Sequence, residues 1–267
     1  MSRHSPVLTV MINAARKAAR GLQRDFGEVE NLQVSLKGPA NFVSAADLRA
    51  ENVLREELSK ARPDWGFLLE EGGEVAGKDA SHRWIIDPLD GTTNFLHGIP
   101  MFAISIGLER QGQLVAGVIY NPIADEMYVA EKGGGAFLND RRLRVASRRE
   151  LSQAVVATGI PHLGRPGQTR FLREMHHIMH EVAGVRRSGS AALDLAYVAA
   201  GRYDAFWEAN LKPWDMAAGL VLGREAGGTA TDMEGKPRIF ETGGVVAGND
   251  MLHGPLLSLI KKAGAES

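Results

Sequence analysis

The chain has 267 residues, 44% apolar and 24% charged, with 31 Lys plus Arg against 32 Asp plus Glu and no cysteine. That length supports one large domain or two modest ones around a sizeable core, and the apolar fraction excludes wholesale disorder. The balanced charge argues against a dedicated nucleic-acid or membrane-surface binder, and the missing thiol excludes disulfides, thiolate metal sites and a Cys nucleophile.

Pro6 opens a helical pattern in which Val7, Val10, Met11, Ala14, Ala15, Ala18 and Leu22 share one face, and Gly27 closes it. Ser44 is placed to cap a second helix that runs to Ala61, where Pro63 stops it. Gly66–Leu69 and Trp84–Ile86 are short apolar runs followed directly by acidic residues, which predicts buried strands with functional ends. Ala103–Leu108, Leu114–Tyr120 and Glu126–Ala130 read as strands, and the turns between them suit antiparallel hairpins. Beyond Arg148 the pattern alternates. A strand is expected at Ala154–Ala157, helices at Gln168–Val182, Ser190–Ala200 and Pro213–Ala226, a last strand at Gly243–Ala247, and a terminal helix near Met251–Ala263. The chain reads as a single unit over 1–267 with a soft boundary near 148, an α+β half with an antiparallel sheet before it and an αβα half from 149 onward. No apolar run reaches the roughly 18 residues of a membrane span. The residues from Met1 to Pro6 do not resemble a signal peptide, so a cytoplasmic protein is expected.

The most informative segment is Trp84-Ile85-Ile86-Asp87-Pro88-Leu89-Asp90-Gly91-Thr92-Thr93-Asn94-Phe95. A buried strand delivers two carboxylates to its end, and the Gly-Thr-Thr-Asn after them suits the start of a short helix whose N–H groups can hold a phosphate. Two carboxylates beside an anion site repel that anion unless cations lie between them. Glu70-Glu71 and Asp215 add further acidic groups. Oxygen donors without Cys or a clear His set select hard divalent ions such as Mg²⁺ or Mn²⁺.

These residues resemble the metal-binding signature of the inositol monophosphatase family. A second family signature is similar to Trp214-Asp215-Met216-Ala217-Ala218-Gly219 with Glu225-Ala226-Gly227-Gly228. The likeness extends to Val43-Ser44-Ala45-Ala46-Asp47, Glu70-Glu71, Gly189-Ser190-Ala191-Ala192 and Asp204-Ala205-Phe206-Trp207-Glu208, in family order, and is nearest to the bacterial branch. The resemblance implies a mixed α and β protein, a layered αβαβα sandwich of the sugar-phosphatase type, assembled as a homodimer. It implies that Glu70, Asp87 and the carbonyl of Leu89 bind a first Mg²⁺, that Asp87, Asp90 and Asp215 bind a second, and that Glu70 borders a third, weaker ion; Mn²⁺ is a substitute. Gly91 and Thr92 would contact the phosphate, and Asp47 with Thr92 would orient and deprotonate the attacking water. Gly189, Ser190, Ala191 and Glu208 would line the alcohol side, with Asp90 also beside the substrate. The implied reaction is Mg²⁺-dependent, Li⁺-sensitive hydrolysis of myo-inositol monophosphate by in-line attack of water, without a phosphoenzyme. Fructose-1,6-bisphosphate, 3′-phosphoadenosine 5′-phosphate and histidinol phosphate are alternative esters for the same chemistry. Ser44, Leu69 and Gly72 stand where the family more often has Thr, Gly and Ser, and none of these removes a ligand.

Other patterns carry less. Asp90-Gly91-Thr92 superficially matches the haloacid-dehalogenase phosphatases, but those need two Asp residues two apart, and here Asp87 and Asp90 are three apart. His176 and His180 have helical metal spacing without the Glu of a zinc protease. The cluster Arg141, Arg142, Arg144, Arg148 and Arg149 lacks interleaved aromatics for base stacking. It still keeps open a second role as an accessory RNA-binding or transcription-machinery protein, as in some bacterial relatives.

Overall fold

A computed structural model describes residues 4–26, 28, 34–38 and 41–265. Gly27, expected to close the first helix, and Met1–Arg3 lie outside the described residues. In chain order the elements are α1 (Pro6–Phe26), β1 (Val34–Gly38), β2 (Asn41–Ser44), α2 (Ala45–Ala61), β3 (Trp65–Leu69), β4 (Gly73–Val75), β5 (Asp79–Asp90), α3 (Thr92–Leu96), β6 (Ala103–Arg110), β7 (Gln113–Asn121), β8 (Glu126–Glu131), β9 (Gly135–Leu138) and β10 (Arg141–Arg142). A single 3-10 turn at Leu151–Gln153 precedes β11 (Val155–Thr158), α4 (Gln168–Met179), β12 (Gly184–Arg186), α5 (Ala191–Ala199), β13 (Ala205–Glu208), α6 (Pro213–Glu225), β14 (Thr229–Thr231), α7 (Ile239–Thr242), β15 (Val245–Gly248) and α8 (Asp250–Ala265).

Two main sheets organise these elements. An eight-stranded sheet has the order β10-β9-β8-β7-β6-β5-β3-β4, antiparallel except for the β3–β5 pair. A five-stranded sheet has the order β12-β11-β13-β15-β14, parallel from β12 to β13 and antiparallel beyond. Helices α1 and α2 cover one face of the large sheet, α5 and α6 fill the space between the sheets, and α4 and α8 close the far side of the small sheet. The result is five layers, αβαβα. Each layer boundary has its own apolar filling. Met11, Leu22, Leu54 and Leu58 are fully buried in the first of these, and covering each such side chain contributes roughly 1.5–3 kcal/mol.

The middle layer is packed unusually close. A Cβ added to Gly107 would lie 2.6 Å from Ala217 Cβ, and one added to Gly117 would lie 2.6 Å from the Ala218 carbonyl oxygen. Helix α6 therefore rests on the backbone of β6 and β7, which only small residues on both surfaces permit. This explains the small pair Ala217-Ala218 just beyond Asp215 and Met216. Glu225, at the other end of α6, accepts from the N–H groups of Gly133 (2.9 Å) and Gly135 (2.8 Å), tying the β8–β9 turn to the helix.

The expected helix Gln168–Val182 stops earlier, at Met179, with His180 as its C-cap, because Gly184–Arg186 is taken up as the edge strand β12 beside β11. The apolar run Trp84–Ile86 proves to be the centre of a twelve-residue strand. No helix among the described residues is long and apolar enough to cross a membrane.

Candidate active site

Strands β3 and β5 run parallel, with Leu69 opposite Ile86. The next residue of each, Glu70 and Asp87, therefore leaves the sheet side by side. The Glu70 N–H bonds the Ile86 carbonyl at 3.2 Å, and the Glu70 side chain hydrogen-bonds Asp87.

Asp87 and Asp90 are three apart, a spacing that sends side chains to opposite faces of a regular strand. The pairing with β6 shows how they share one site. Asp87 pairs with Ser105 and Asp90 with Ala103, so Pro88 and Leu89 stand against Ile104 alone. This bulge shifts the alternation by one residue and turns both carboxylates the same way. Pro88 is tolerated there because a bulged residue need not donate to the ladder. The Leu89 N–H bonds Asp87 Oδ1 at 2.9 Å and fixes the turn.

Two helix starts supply the other acids. Asp215 is the third residue of α6, and its Oδ2 accepts from the Lys212 N–H at 2.7 Å. Asp47 is the third residue of α2, and its Oδ2 accepts from Ser44 N–H (2.9 Å) and Ser44 Oγ (2.5 Å), a capping box. In both cases one oxygen is held by the helix cap. The second oxygen of Asp47 accepts from Thr92 Oγ1 at 3.0 Å. One oxygen each of Asp87, Asp90 and Asp215 come within 4.8 Å of one another.

Asp90 is oriented from the other half of the chain. Its Oδ2 accepts from Ser190 Oγ (2.5 Å) and the Ala192 N–H (2.7 Å), the first turn of α5. Ser190 is itself buried and caps α5 by accepting from the Leu193 N–H, so its hydroxyl is spent on Asp90 and the helix.

Electrostatics follow from this crowding. Burial, with Glu70, Asp90 and Asp215 facing it, holds Asp87 well above the usual carboxylate range. Burial also raises Asp215, helped by Asp90, and pushes Asp90 up to about 6 against the pull of Ser190 and Ala192. Glu208, at the end of β13, is pushed up to about 8 by burial and by Asp194 and Asp90. Burial raises Asp47 in spite of the hydrogen bonds from Ser44 and Thr92. The donor set is all oxygen, the acidic groups crowd one another, and among the described residues neither Cys nor His joins the cluster. These residues fit hard divalent cations.

All the expected residues except Asp47 line one cavity of about 550 Å³, with Glu70, Leu89, Gly91 and Thr92 coming from the same half of the chain as Asp87 and Asp90, and Gly189, Ala191 and Glu208 from the other half. Asp47 lies behind Thr92, fully buried. Gly91 has φ 98°, and a Cβ there would meet the Met101 carbonyl at 2.9 Å. The sequence reading missed three contributors. Asn94 Nδ2 donates to the carbonyls of Met101 (2.7 Å) and Ser188 (2.8 Å), joining the signature loop to the other half of the chain. Glu51, one turn after Asp47, accepts from the Glu71 N–H at 2.9 Å and steadies the turn that carries Glu70. Asp194, bonded to Ser188 and pushed up to about 8 by burial, sits beside the alcohol wall. Asn94 was quoted within the signature, but its cross-link between the halves has no sequence signal.

Residues 3–265 match the model of the inositol monophosphatase family. The chain belongs to that family. As a member it is a phosphatase, with the family's acidic cluster in place. It is 63% identical over 258 residues to an inositol-1-monophosphatase of Mesorhizobium japonicum, covering 97% of each chain. It is 43% identical over 262 residues to the Nus factor SuhB of Pseudomonas aeruginosa, covering 96% of each. The solved structure of the extragenic suppressor protein suhB from Bartonella henselae superposes with a TM-score of 0.95 at 60% identity, covering 97% of this chain and 99% of that one.

Proposed function

We propose that this inositol monophosphatase relative hydrolyses the phosphomonoester of a polyhydroxylated alcohol, with myo-inositol 1-phosphate as substrate and Mg²⁺ as cofactor. The observation that carries the reading is the convergence of Asp87, Asp90 and Asp215, with Glu70 beside Asp87, on a cavity that Glu208 also lines.

Glu70, Asp87, Asp90, Asp215 and the carbonyl of Leu89 would hold the ions. When bound, these supply charge neutralisation around the ester and acidify water. The chain's own residues do the rest. Thr92 Oγ1 lies between Asp47 Oδ1 (3.0 Å) and the Leu89 carbonyl (3.1 Å), so its single proton has two acceptors. A proton taken from the attacking water by Thr92 Oγ1 passes to Asp47, whose basicity is raised by burial. The Gly91 and Thr92 N–H groups, at the start of α3, face the phosphate. Glu208 accepts from hydroxyls of the alcohol and disfavours a second phosphate there. No side chain is required as a nucleophile. Homodimer assembly, action in the cytoplasm and inhibition by Li⁺ complete the proposal.

The test is phosphate release from myo-inositol 1-phosphate with Mg²⁺, with EDTA, and with Asp90→Asn. Turnover that needs Mg²⁺ and is lost in the variant supports the reading. Equal turnover in EDTA overturns it.

A second reading is favoured by the relative named Nus factor SuhB: association with RNA or the transcription machinery. Arg141 and Arg142 are exposed on the edge strand β10, whereas Arg148 is paired with Asp204 at 2.9 Å. Salt-sensitive RNA binding that is lost on replacing Arg141, Arg142 and Arg144 would support it.

A further inference from the structure

We propose that Gly159 is the specificity-determining position of the alcohol wall: its bare Cα is the seat of the Glu208 carboxylate, and any side chain at 159 displaces that carboxylate from the substrate. This rests on the phosphatase reading above and adds a positioning residue to it.

The sheet register brings the two residues together. Strands β11 and β13 are parallel, with Thr158 opposite Trp207. The next residue of each, Gly159 and Glu208, leaves the sheet at the same level and lines the cavity. A Cβ built on Gly159 would fall 1.9 Å from Glu208 Oε1, 2.0 Å from Cδ and 2.2 Å from Oε2. The whole carboxylate, rather than one flexible atom of it, occupies the space that a side chain would need.

Gly159 is not there for its backbone. It is absent from the glycines with positive φ, so no left-handed backbone demands a glycine there. What the glycine provides is room. Among the described residues no group hydrogen-bonds the Glu208 carboxylate, so packing against Gly159 sets its position while its lone pairs stay open to a ligand. Gly91 and Gly189, which also line the cavity, have φ of 98° and 86°, and their glycines serve conformation as well. Position 159 is therefore where a one-carbon change alters the alcohol wall and leaves the metal-binding carboxylates where they are. The alcohol that profits from Gly159 is one with a hydroxyl facing Glu208.

The experiment compares Gly159→Ala, Glu208→Ala and the double variant in two readouts. The first is kcat and KM with Mg²⁺ for myo-inositol 1-phosphate and for p-nitrophenyl phosphate, which has no hydroxyl to offer. Gly159→Ala lowers the ratio of kcat/KM between the two esters about tenfold or more, chiefly through KM. Adding it to Glu208→Ala lowers that ratio no further. The second readout is thermal unfolding, which needs no activity. Gly159→Ala shifts Tm less favourably in the parent than in the Glu208→Ala background, where the space is free and alanine stabilises by restricting the unfolded chain. An unchanged ester ratio, or an equal shift in Tm in both backgrounds, overturns the proposal. If the parent hydrolyses neither ester, the phosphatase reading fails, and the Tm coupling still decides whether Gly159 seats Glu208.

Discussion

Ser190 Oγ donates to Asp90 Oδ2 at 2.5 Å, joining the first turn of α5 to the bulged end of β5. One oxygen of a carboxylate in the acidic cluster is thereby committed and the other is aimed. The same hydroxyl caps α5, so a single atom couples helix stability to ligand orientation.

Replacing Ser190 by Ala tests that coupling. The Mg²⁺ concentration for half-maximal activity should rise about 10- to 100-fold, the range for losing a partner that orients a ligand. Unfolding should show a loss of about 1 kcal/mol from the missing cap. A Mg²⁺ titration that matches the parent would show that Asp90 needs no such support.

Asp47→Asn should act on the chemical step. The amide cannot take the proton that Thr92 passes on, and its single acceptor oxygen can serve Ser44 or Thr92 but not both. We expect kcat to fall by about 10²- to 10⁴-fold with little change in KM. Stopped-assay kinetics at saturating Mg²⁺ check this, and a change confined to KM would contradict it.

The crowded carboxylates make a linkage prediction. Asp87, Asp90, Asp215, Asp194 and Glu208 all have folded-state values raised above their unfolded ones. Each favours folding when protonated, so in EDTA stability is greatest below about pH 4 for these groups and falls as pH rises toward 8. Added Mg²⁺ should therefore raise Tm more at pH 8 than at pH 6. For Asp194, pushed up to about 8, Asp194→Asn should flatten the fall of Tm between pH 5 and pH 8 in EDTA. Parallel curves for parent and variant would count against a neutral Asp194.

Asn94→Ala removes both donors that bridge Met101 and Ser188. Two carbonyls then lose their partner inside the protein, at a cost of about 1–3 kcal/mol each at most. Urea denaturation should show the loss, and limited proteolysis should show faster cleavage near Ser188. Unchanged midpoints would mean that water replaces the amide at no cost.

Much of the site was legible because its residues lie in contiguous runs whose chemistry is readable in one dimension. Asp87, Asp90 and Thr92 come from one run at the end of β5 and the start of α3, and Ser44 announced the cap that fixes Asp47. The layers were legible through the family likeness. The short strands β4, β9, β12, β13 and β14 were not, since a run of three or four half-buried residues has no periodicity to recognise. Nor was the reach of α4 legible, because the apolar pattern continues to Val182 while pairing claims Gly184–Arg186. The resemblance placed Ser190 on the alcohol side, and it does line the cavity. That its hydroxyl also donates to Asp90, a partner distant in sequence, is something only the fold supplies. Gly159 carried no signal at all, since a glycine that serves space looks like one that serves a turn.

Helix α6 rests on the bare backbone of β6 and β7 through Ala217 and Ala218. Asp215 therefore reaches its place only once the later half of the chain has seated against the earlier one. A nascent chain that has finished its large sheet holds Glu70, Asp87 and Asp90 but has no fourth acid. The acidic cluster is thus completed across the two halves of the chain, and a fragment that ends before α6 lacks one of its three converging carboxylates.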